Sequence, residues 1–222
     1  MTSTSTAPMK LYSYFRSSAS YRVRIALNLK GIPYEISPVH LLEGGGQQHA
    51  ETYRRLNPSR EVPTLIHGDF VLGQSMAIID YLDSVQFSPR LIPVDPQQRA
   101  ITLQACEIVN SGAQPVHNLR VLQKLEKEFQ ATQDQRDAWA AYWIRHGCET
   151  LEAFLADKAG RFALGDHPTA ADCFVIPHLA NADRFKVSLE AFPTLRRIRV
   201  CCLDLPAFQN AAPEKQPDFP RS

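Results

Sequence analysis

The sequence lacks most features that would place it in a narrow class. No apolar run approaches the roughly 20 residues that a membrane-spanning helix needs, so no membrane partner is expected. Charge of one sign is missing too. The 24 Lys+Arg and 23 Asp+Glu leave a net charge of +1, so no bulk field recruits nucleic acid. The five cysteines (Cys106, Cys148, Cys173, Cys201, Cys202) form no C-x-x-C pair and have no metal-like spacing with histidine. An odd set without a framework fits free thiols in a reducing compartment, and no metal is expected. The opening Met1–Pro8 is polar and has no apolar h-region. A secretory signal is therefore not expected, and the cytoplasm is the expected location. Gly44-Gly45-Gly46 has neither the Lys-Ser/Thr of a P-loop nor the spacing of a dinucleotide fingerprint. Phosphate binding by that route is excluded.

What remains is an ordinary globular composition, 44% hydrophobic and 21% charged over 222 residues, enough for one large domain or two small ones. The chain is organised around Tyr14–Gly31. Lys10-Leu11-Tyr12-Ser13 alternates with Tyr14 and Phe15 as a β-strand does. Arg16-Ser17-Ser18-Ala19-Ser20 then leads into Val23, Ala26, Leu27 and Leu29 at helical spacing. A helix start presents unpaired N–H groups and the positive end of the macrodipole, which stabilise an anion such as a thiolate. Ser17 or Ser18 would donate a hydrogen bond to it, and Arg16 adds a full charge. Capping alone also explains these serines.

Gly31 occupies the αL position that ends the helix, and Tyr34–Val39 alternates as a second, parallel strand of a βαβ unit. Gln47 and Gln48 follow the glycine loop, where solvated glutamines are commonest. Asn57–Glu61 reads as a turn and Val62–Ile66 as a strand interrupted by Pro63, which marks an edge or a special turn. A cis bond at Val62–Pro63 would leave the Val62 backbone open to an extended peptide-like ligand. His67-Gly68-Asp69 is a hairpin turn into Phe70-Val71-Leu72. Ser75 reads as the N-cap of a helix through Val85, a second N-terminus able to hold a carboxylate. The order β-α-β, loop, β-β-α predicts a mixed sheet, and the two helix N-termini, at Ser18 and Ser75, bracket the proline strand, an arrangement suited to a small anionic peptide with a thiol.

Ser17-Ser18-Ala19-Ser20-Tyr21-Arg22-Val23-Arg24-Ile25-Ala26-Leu27 resembles the signature of the zeta-class glutathione transferases, the maleylacetoacetate isomerase family. The likeness continues through Gly45-Gly46-Gln47-Gln48, Leu56-Asn57-Pro58, Val62-Pro63-Thr64-Leu65 and Gln74-Ser75-Met76-Ala77-Ile78-Ile79. It covers nearly the whole chain after Pro8. It implies an α/β plus all-α fold: a thioredoxin-like glutathione-binding domain over 9–88, a linker over 89–94, and an all-helical substrate domain over 95–222. It implies glutathione as cofactor and a homodimer. Ser17 would assist the thiolate, with Ser18 and Arg16 beside it. Gln48 and the Val62 backbone would contact the tripeptide, and Gln74 and Ser75 would hold its γ-glutamyl end. The family usually has cysteine where this chain has Ala19, so a mechanism that needs that thiol is excluded here.

Pro89, Pro93 and Pro96 stiffen the linker, and Asp95-Pro96 reads as N-cap and N1 of the next helix. Downstream, three apolar stripes are read as core: Ile101/Ala105/Ile108/Val109, Val116/Leu119/Leu122/Leu125/Phe129, and Trp139/Trp143/Leu151/Phe154/Leu155. Gly112 and Pro115 break the helix between the first two. By resemblance, Gln114, Asn118 and Arg120 lie near glutathione and substrate; His117 stands where many relatives have another polar residue, and it is kept as a candidate substrate residue. Thr169–Asp172 is a structural capping box, and Pro177 bends the helix that follows. Arg184 is a candidate clamp for a substrate carboxylate, since guanidinium binds carboxylate bidentately; a surface ion pair is the plain alternative. The tail after Phe208 reads as non-regular.

The expected activity is a glutathione-dependent cis–trans isomerisation of a maleyl diketo acid, with Arg16, Arg120 and Arg184 suited to a dicarboxylate. One alternative is glutathione transfer onto small electrophiles such as α-haloacids. Another is a non-catalytic interaction protein, against which the retained Ser17, Gln48, Gln74 and Ser75 argue.

Overall fold

The structure is a computed structural model and describes residues 8–221. The polar opening lies, over residues 1–7, outside the described residues. The chain through Leu91, together with the segment from Leu205 onward, forms one compact unit, and Ile92–Asp204 forms another.

In the first unit, β1 (Met9–Ser13), α1 (Ser18–Leu29) and β2 (Tyr34–Pro38) form the expected βαβ. A short α2 (Glu51–Leu56) leads to β3 (Thr64–His67), β4 (Phe70–Gly73) and α3 (Ser75–Val85). The sheet order is β2-β1-β3-β4, with β1 parallel to β2 and antiparallel to β3. Leu11 faces Ile36 on one side and Leu65 on the other, and Leu11 and Leu65 are almost fully buried. Alternation thus sets the register, because a one-residue slip would turn these leucines to the opposite face. Gly31 and Gly68 have φ of 63° and 61°, which lets the chain reverse after α1 and between β3 and β4.

Two local readings shift. Of the two readings of Pro63, the special turn holds and the edge does not: the Val62–Pro63 bond is cis, and β3 is an inner strand that starts at Thr64, so the proline precedes the ladder and removes no bond from it. The N-cap of α3 is Gln74, at φ 68°, and Ser75 is the first helical residue.

The second unit is helical: α4 (Pro96–Glu107), α5 (Leu119–Phe129), α6 (Gln133–Leu155), α7 (Ala170–Arg184) and α8 (Pro193–Leu203). Asp95 caps α4, its Oδ1 accepting from the Gln97 and Gln98 amides at 3.1 and 2.9 Å. The break at Gly112–Pro115 is a π turn over Ile108–Ala113 followed by a 3₁₀ turn over Gln114–His117. Thr169 and Asp172 form the expected capping box, the Thr169 amide donating to Asp172 Oδ2 at 2.8 Å. Pro177 sits within α7, which continues through it.

The second apolar stripe is not core within this chain. α5 buries no residue, and Phe129 is 72% exposed. The helical period was present, but it does not tell which apolar face finds a partner. The tail also differs from the non-regular reading. α9 (Pro206–Ala211) and a 3₁₀ turn (Pro213–Lys215) follow Leu205, with Phe208 fully buried. By its contacts this segment groups with the first unit. Asn28 Nδ2 donates to Ala207 O, and Arg24 Nε to Ala211 O, both at 2.9 Å.

Candidate active site

Ser17 is the N-cap of α1, and its Oγ accepts from the Ser20 amide at 3.2 Å. The capping reading and the chemical one are compatible, because a hydroxyl that accepts a cap bond still has its own proton to donate. The Tyr21 amide is taken by Ser17 O at 2.9 Å, which leaves the Ser18 and Ala19 amides at the helix mouth. No acidic residue stands in the first turn of α1 or of α3, so neither dipole is offset there. Arg16 is exposed, with its guanidinium 5.2 Å from the Phe15 ring centroid.

Tyr14, Phe15, Val39, Tyr53 and Val62 form one buried cluster, with Leu41 and Leu56 against it. It joins the β1–α1 turn to the approach of the Gln48 loop and to Val62, three segments far apart in sequence. Tyr53 also donates from its hydroxyl to Glu61 O at 2.7 Å, just before the cis Val62–Pro63 peptide. Burial pushes the Tyr53 phenol up to about 12.

Gln48 departs from the solvated reading. It is 5% exposed, its Nε2 donates to Leu41 O at 3.3 Å, and its buried Oε1 has no hydrogen-bond partner. Such an orphaned acceptor is rare and calls for an outside donor. Gln47 instead ties the loop, its Oε1 accepting from the His40 amide at 2.8 Å. Gln74 is exposed, while Ser75 is 4% exposed and its Oγ accepts from Arg22 Nη1 at 3.2 Å.

In the helical unit, Gln114, His117, Asn118 and Arg120 gather at the π–3₁₀ break. Asn118 caps α5, its Oδ1 accepting from the Arg120 amide at 3.2 Å. Arg120 is exposed. Arg184, also exposed, ends α7 with its guanidinium 4.8 Å from the Phe185 ring. His117, the other candidate substrate residue of this break, is 5% exposed, with its ring 6.3 Å from that of buried His178. His178 is held by Ile144 O at 3.0 Å and fits only because residue 147 is glycine, where a Cβ would come within 2.6 Å of its Nε2.

Sequence reading missed Arg22 and Arg24, which are among the largest fully buried side chains of the protein. The signal was available: both sit in a helix that is otherwise apolar on nearly every side. It also missed Asp218, whose Oδ2 accepts from the Phe15 amide. Nothing local marks that residue.

Among the described residues, no group of three His, Cys, Asp or Glu side chains could hold a metal ion, and no helix is long and apolar enough to cross a membrane.

A thioredoxin-like sheet, hydroxyls at two helix N-termini and a separate helical unit define a glutathione transferase. Residues 16–85 match the glutathione S-transferase N-terminal domain and residues 130–221 its C-terminal domain. Rat maleylacetoacetate isomerase is 46% identical over 210 residues, covering 95% of this chain and 94% of the rat protein. A solved bacterial maleyl pyruvate isomerase, described as a zeta-class glutathione S-transferase in its holo form, superposes with TM-score 0.91 at 42% identity, covering 95% of this chain and all of that one. Maleylacetoacetate isomerase from Anaeromyxobacter dehalogenans, with GSH bound in its active site, gives TM-score 0.87 at 43% identity over 96% of this chain and 98% of that one. The same enzyme, with dicarboxyethyl glutathione and citrate in its active site, gives 0.85 at 41% identity over the same shares. The chain belongs to the zeta-class glutathione transferases, the maleylacetoacetate and maleylpyruvate isomerase family.

Proposed function

We propose that this protein is a glutathione-dependent cis–trans isomerase of a maleyl diketo acid, either maleylacetoacetate or maleylpyruvate. The observation that carries the reading is the mouth of α1. There Ser17 caps a helix whose first turn carries no acidic residue, the Ser18 and Ala19 amides open the helix, and the exposed Arg16 directly precedes the cap, which supports an anion site. The chain around it is 46% identical to a maleylacetoacetate isomerase. The orphaned Gln48 Oε1 supports glutathione as the occupant, since its amide groups supply the missing donor. Bound glutathione contributes a thiolate that adds reversibly to the cis double bond, making it single so that it rotates before the thiolate leaves.

The chain's own residues do the rest. The Ser17 hydroxyl donates to the sulfur and holds it as thiolate, with Ser18 and the first-turn amides adding to the same field. Gln48, the Val62 backbone, Gln74 and Ser75 hold the tripeptide. A maleyl diketo acid has two carboxylates and develops enolate charge. Arg16, Arg120 and Arg184 are the cations we assign to them, and Gln114 and Asn118 we assign to glutathione. Removing one donor from such an anion typically costs about 10²–10³ in rate. The Anaeromyxobacter enzyme accommodates a dicarboxyethyl adduct and citrate, which supports a dicarboxylate substrate. We further infer a cytoplasmic homodimer, to be checked by sedimentation.

The test is an absorbance assay with maleylpyruvate or maleylacetoacetate, with and without glutathione. Glutathione-dependent conversion to the fumaryl isomer, lost in Ser17→Ala, is expected. Glutathione binding without conversion would move the assignment to transfer onto electrophiles. Absence of both binding and conversion would leave an interaction protein.

A further inference from the structure

The backbone of Phe15 is held on both sides by charged groups, one of them 203 residues away. Its N–H donates to Asp218 Oδ2 at 2.9 Å, and its C=O accepts from Arg24 Nη2 at 3.2 Å. Arg24 is fully buried and donates also to Ser13 Oγ at 3.0 Å, Tyr14 O at 3.4 Å and Ala211 O at 2.9 Å. One guanidinium therefore bonds both the turn before Ser17 and the C-terminal segment. The Phe15 ring meets Phe219 edge to face at 5.4 Å. Ser17 is coupled to this arrangement directly, its amide donating to Tyr14 O at 3.0 Å.

Asp218 is a poor choice for stability alone. Its second oxygen, Oδ1, is buried without a hydrogen-bond partner, a desolvation cost that an apolar residue would avoid. The carboxylate is better explained by the turn it holds. Burial pushes the Arg24 guanidinium down to about 10, still charged at neutral pH, and Asp218 is among the groups that oppose this shift. The turn is thus set between two opposite charges in a medium where each bond is stiffer than in water.

We propose that the C-terminal segment is a working part of the thiol site, with Asp218 a positioning residue that acts through the Phe15 amide to fix the turn presenting Arg16, Ser17 and the first amides of α1. The inference rests on the glutathione reading above. Displacing a catalytic group by about 1 Å can cost 10²-fold in rate, so a distant anchor of this kind is visible in kcat.

The experiment compares Asp218→Ala, Asp218→Asn and Phe219→Ala with the parent protein. The thiolate absorbance of bound glutathione is followed against pH. Glutathione affinity is measured by calorimetry, and exchange of the Phe15 amide by NMR in the free protein. Asp218→Ala is expected to move the thiol titration up by about one pH unit, speed Phe15 exchange and lower kcat about tenfold or more. Glutathione affinity should change little below the thiol titration, because Gln48, Gln74 and Ser75 hold the rest of the molecule, and by linkage should fall by up to about tenfold above it. Asp218→Asn keeps an acceptor for the Phe15 amide and should restore the titration and the rate. Phe219→Ala loosens the same turn from a partly exposed ring and should shift both in the same direction by less, which keeps the test open should Asp218→Ala not fold. Loss of thermal stability with an unmoved thiol titration and kcat would overturn the proposal. A parent protein that binds no glutathione would instead overturn the reading beneath it.

Discussion

Arg22 Nη1 donates to Ser75 Oγ at 3.2 Å, joining α1 to the first residue of α3, with both side chains almost wholly buried. The helix whose N-terminus we assign to the thiol thus also orients the hydroxyl at the second N-terminus. Ser75→Ala is expected to weaken glutathione by about ten- to a hundredfold, as for loss of a hydrogen bond to a charged group. The rate at saturating glutathione should not change, because the lost contact is uniform binding. Arg22→Met should weaken glutathione too, through Ser75, and lower the unfolding midpoint as well. Calorimetric affinities that match the parent in both variants would remove Ser75 from the site.

Lys30 Nζ and Asp83 Oδ1 form a 2.7 Å ion pair with side chains 0% and 1% exposed. Lys30 also donates to Pro89 O at 2.7 Å, and both Asp83 oxygens accept from the Leu91 amide. The pair ties the ends of α1 and α3 to the start of the proline-rich stretch. Asp83→Ala should cost about 3–5 kcal/mol in chemical unfolding, since it strands a buried ammonium. Lys30→Met with Asp83→Leu should cost less than the Asp83→Ala change alone, because no lone charge remains. Additive losses in the pair of variants would show that the two groups do not interact.

Asp172 is fully buried and its pKa is raised, chiefly by desolvation, although the Ala163 and Thr169 amides and the Cys202 thiol favour its ionised form. The folded protein therefore keeps this proton at pH values where the unfolded chain has released it. By linkage, stability falls as pH rises from the ordinary carboxylate range to the raised folded value, and is flat with respect to this group above it. Asp172→Asn should remove that downward segment from a plot of unfolding free energy against pH. An unaltered slope would mean that the carboxyl ionises as it does in the unfolded chain.

Cys106, Cys148, Cys173 and Cys202 are buried, and Cys201 is half-buried on α8. Burial pushes the Cys148 thiol up to about 12, and burial with Asp172 nearby pushes Cys202 up further. A thiol reagent at neutral pH should label one of the five cysteines in the native protein and all five after unfolding. With Ala19 at the mouth of α1, alkylation followed by removal of the reagent should leave turnover intact. Inactivation that tracks the labelled thiol would place a cysteine in the mechanism.

The elements governed by local rules were legible in the chain. Gly31 and Gly68 marked reversals because a positive φ suits glycine, and Asp95 and Thr169 marked helix starts because their oxygens cap adjacent amides. Ser17 was legible both as a cap and as a candidate thiol partner, since both uses draw on the same helix mouth. The π turn at Ile108–Ala113 was visible only as a break, because Gly112 and Pro115 show where a helix fails and not what replaces it.

Sequence alone settled the βαβ order, the hairpin and the helix starts at Ser17, Asp95 and Thr169, all of which depend on contacts within a few residues or on strand period. Only the tertiary structure decided which apolar faces became core. It left Phe129 exposed and brought His117 inside. It also decided that Gln48 is buried with an unmet acceptor, that two arginines of α1 lie in the interior, and that Asp218 returns to Phe15 across 203 residues. The physical reason is common to these cases. Burial of a charge or an amide is tolerated only when partners from other elements meet it, and those partners are set by the fold, not by neighbours in the chain.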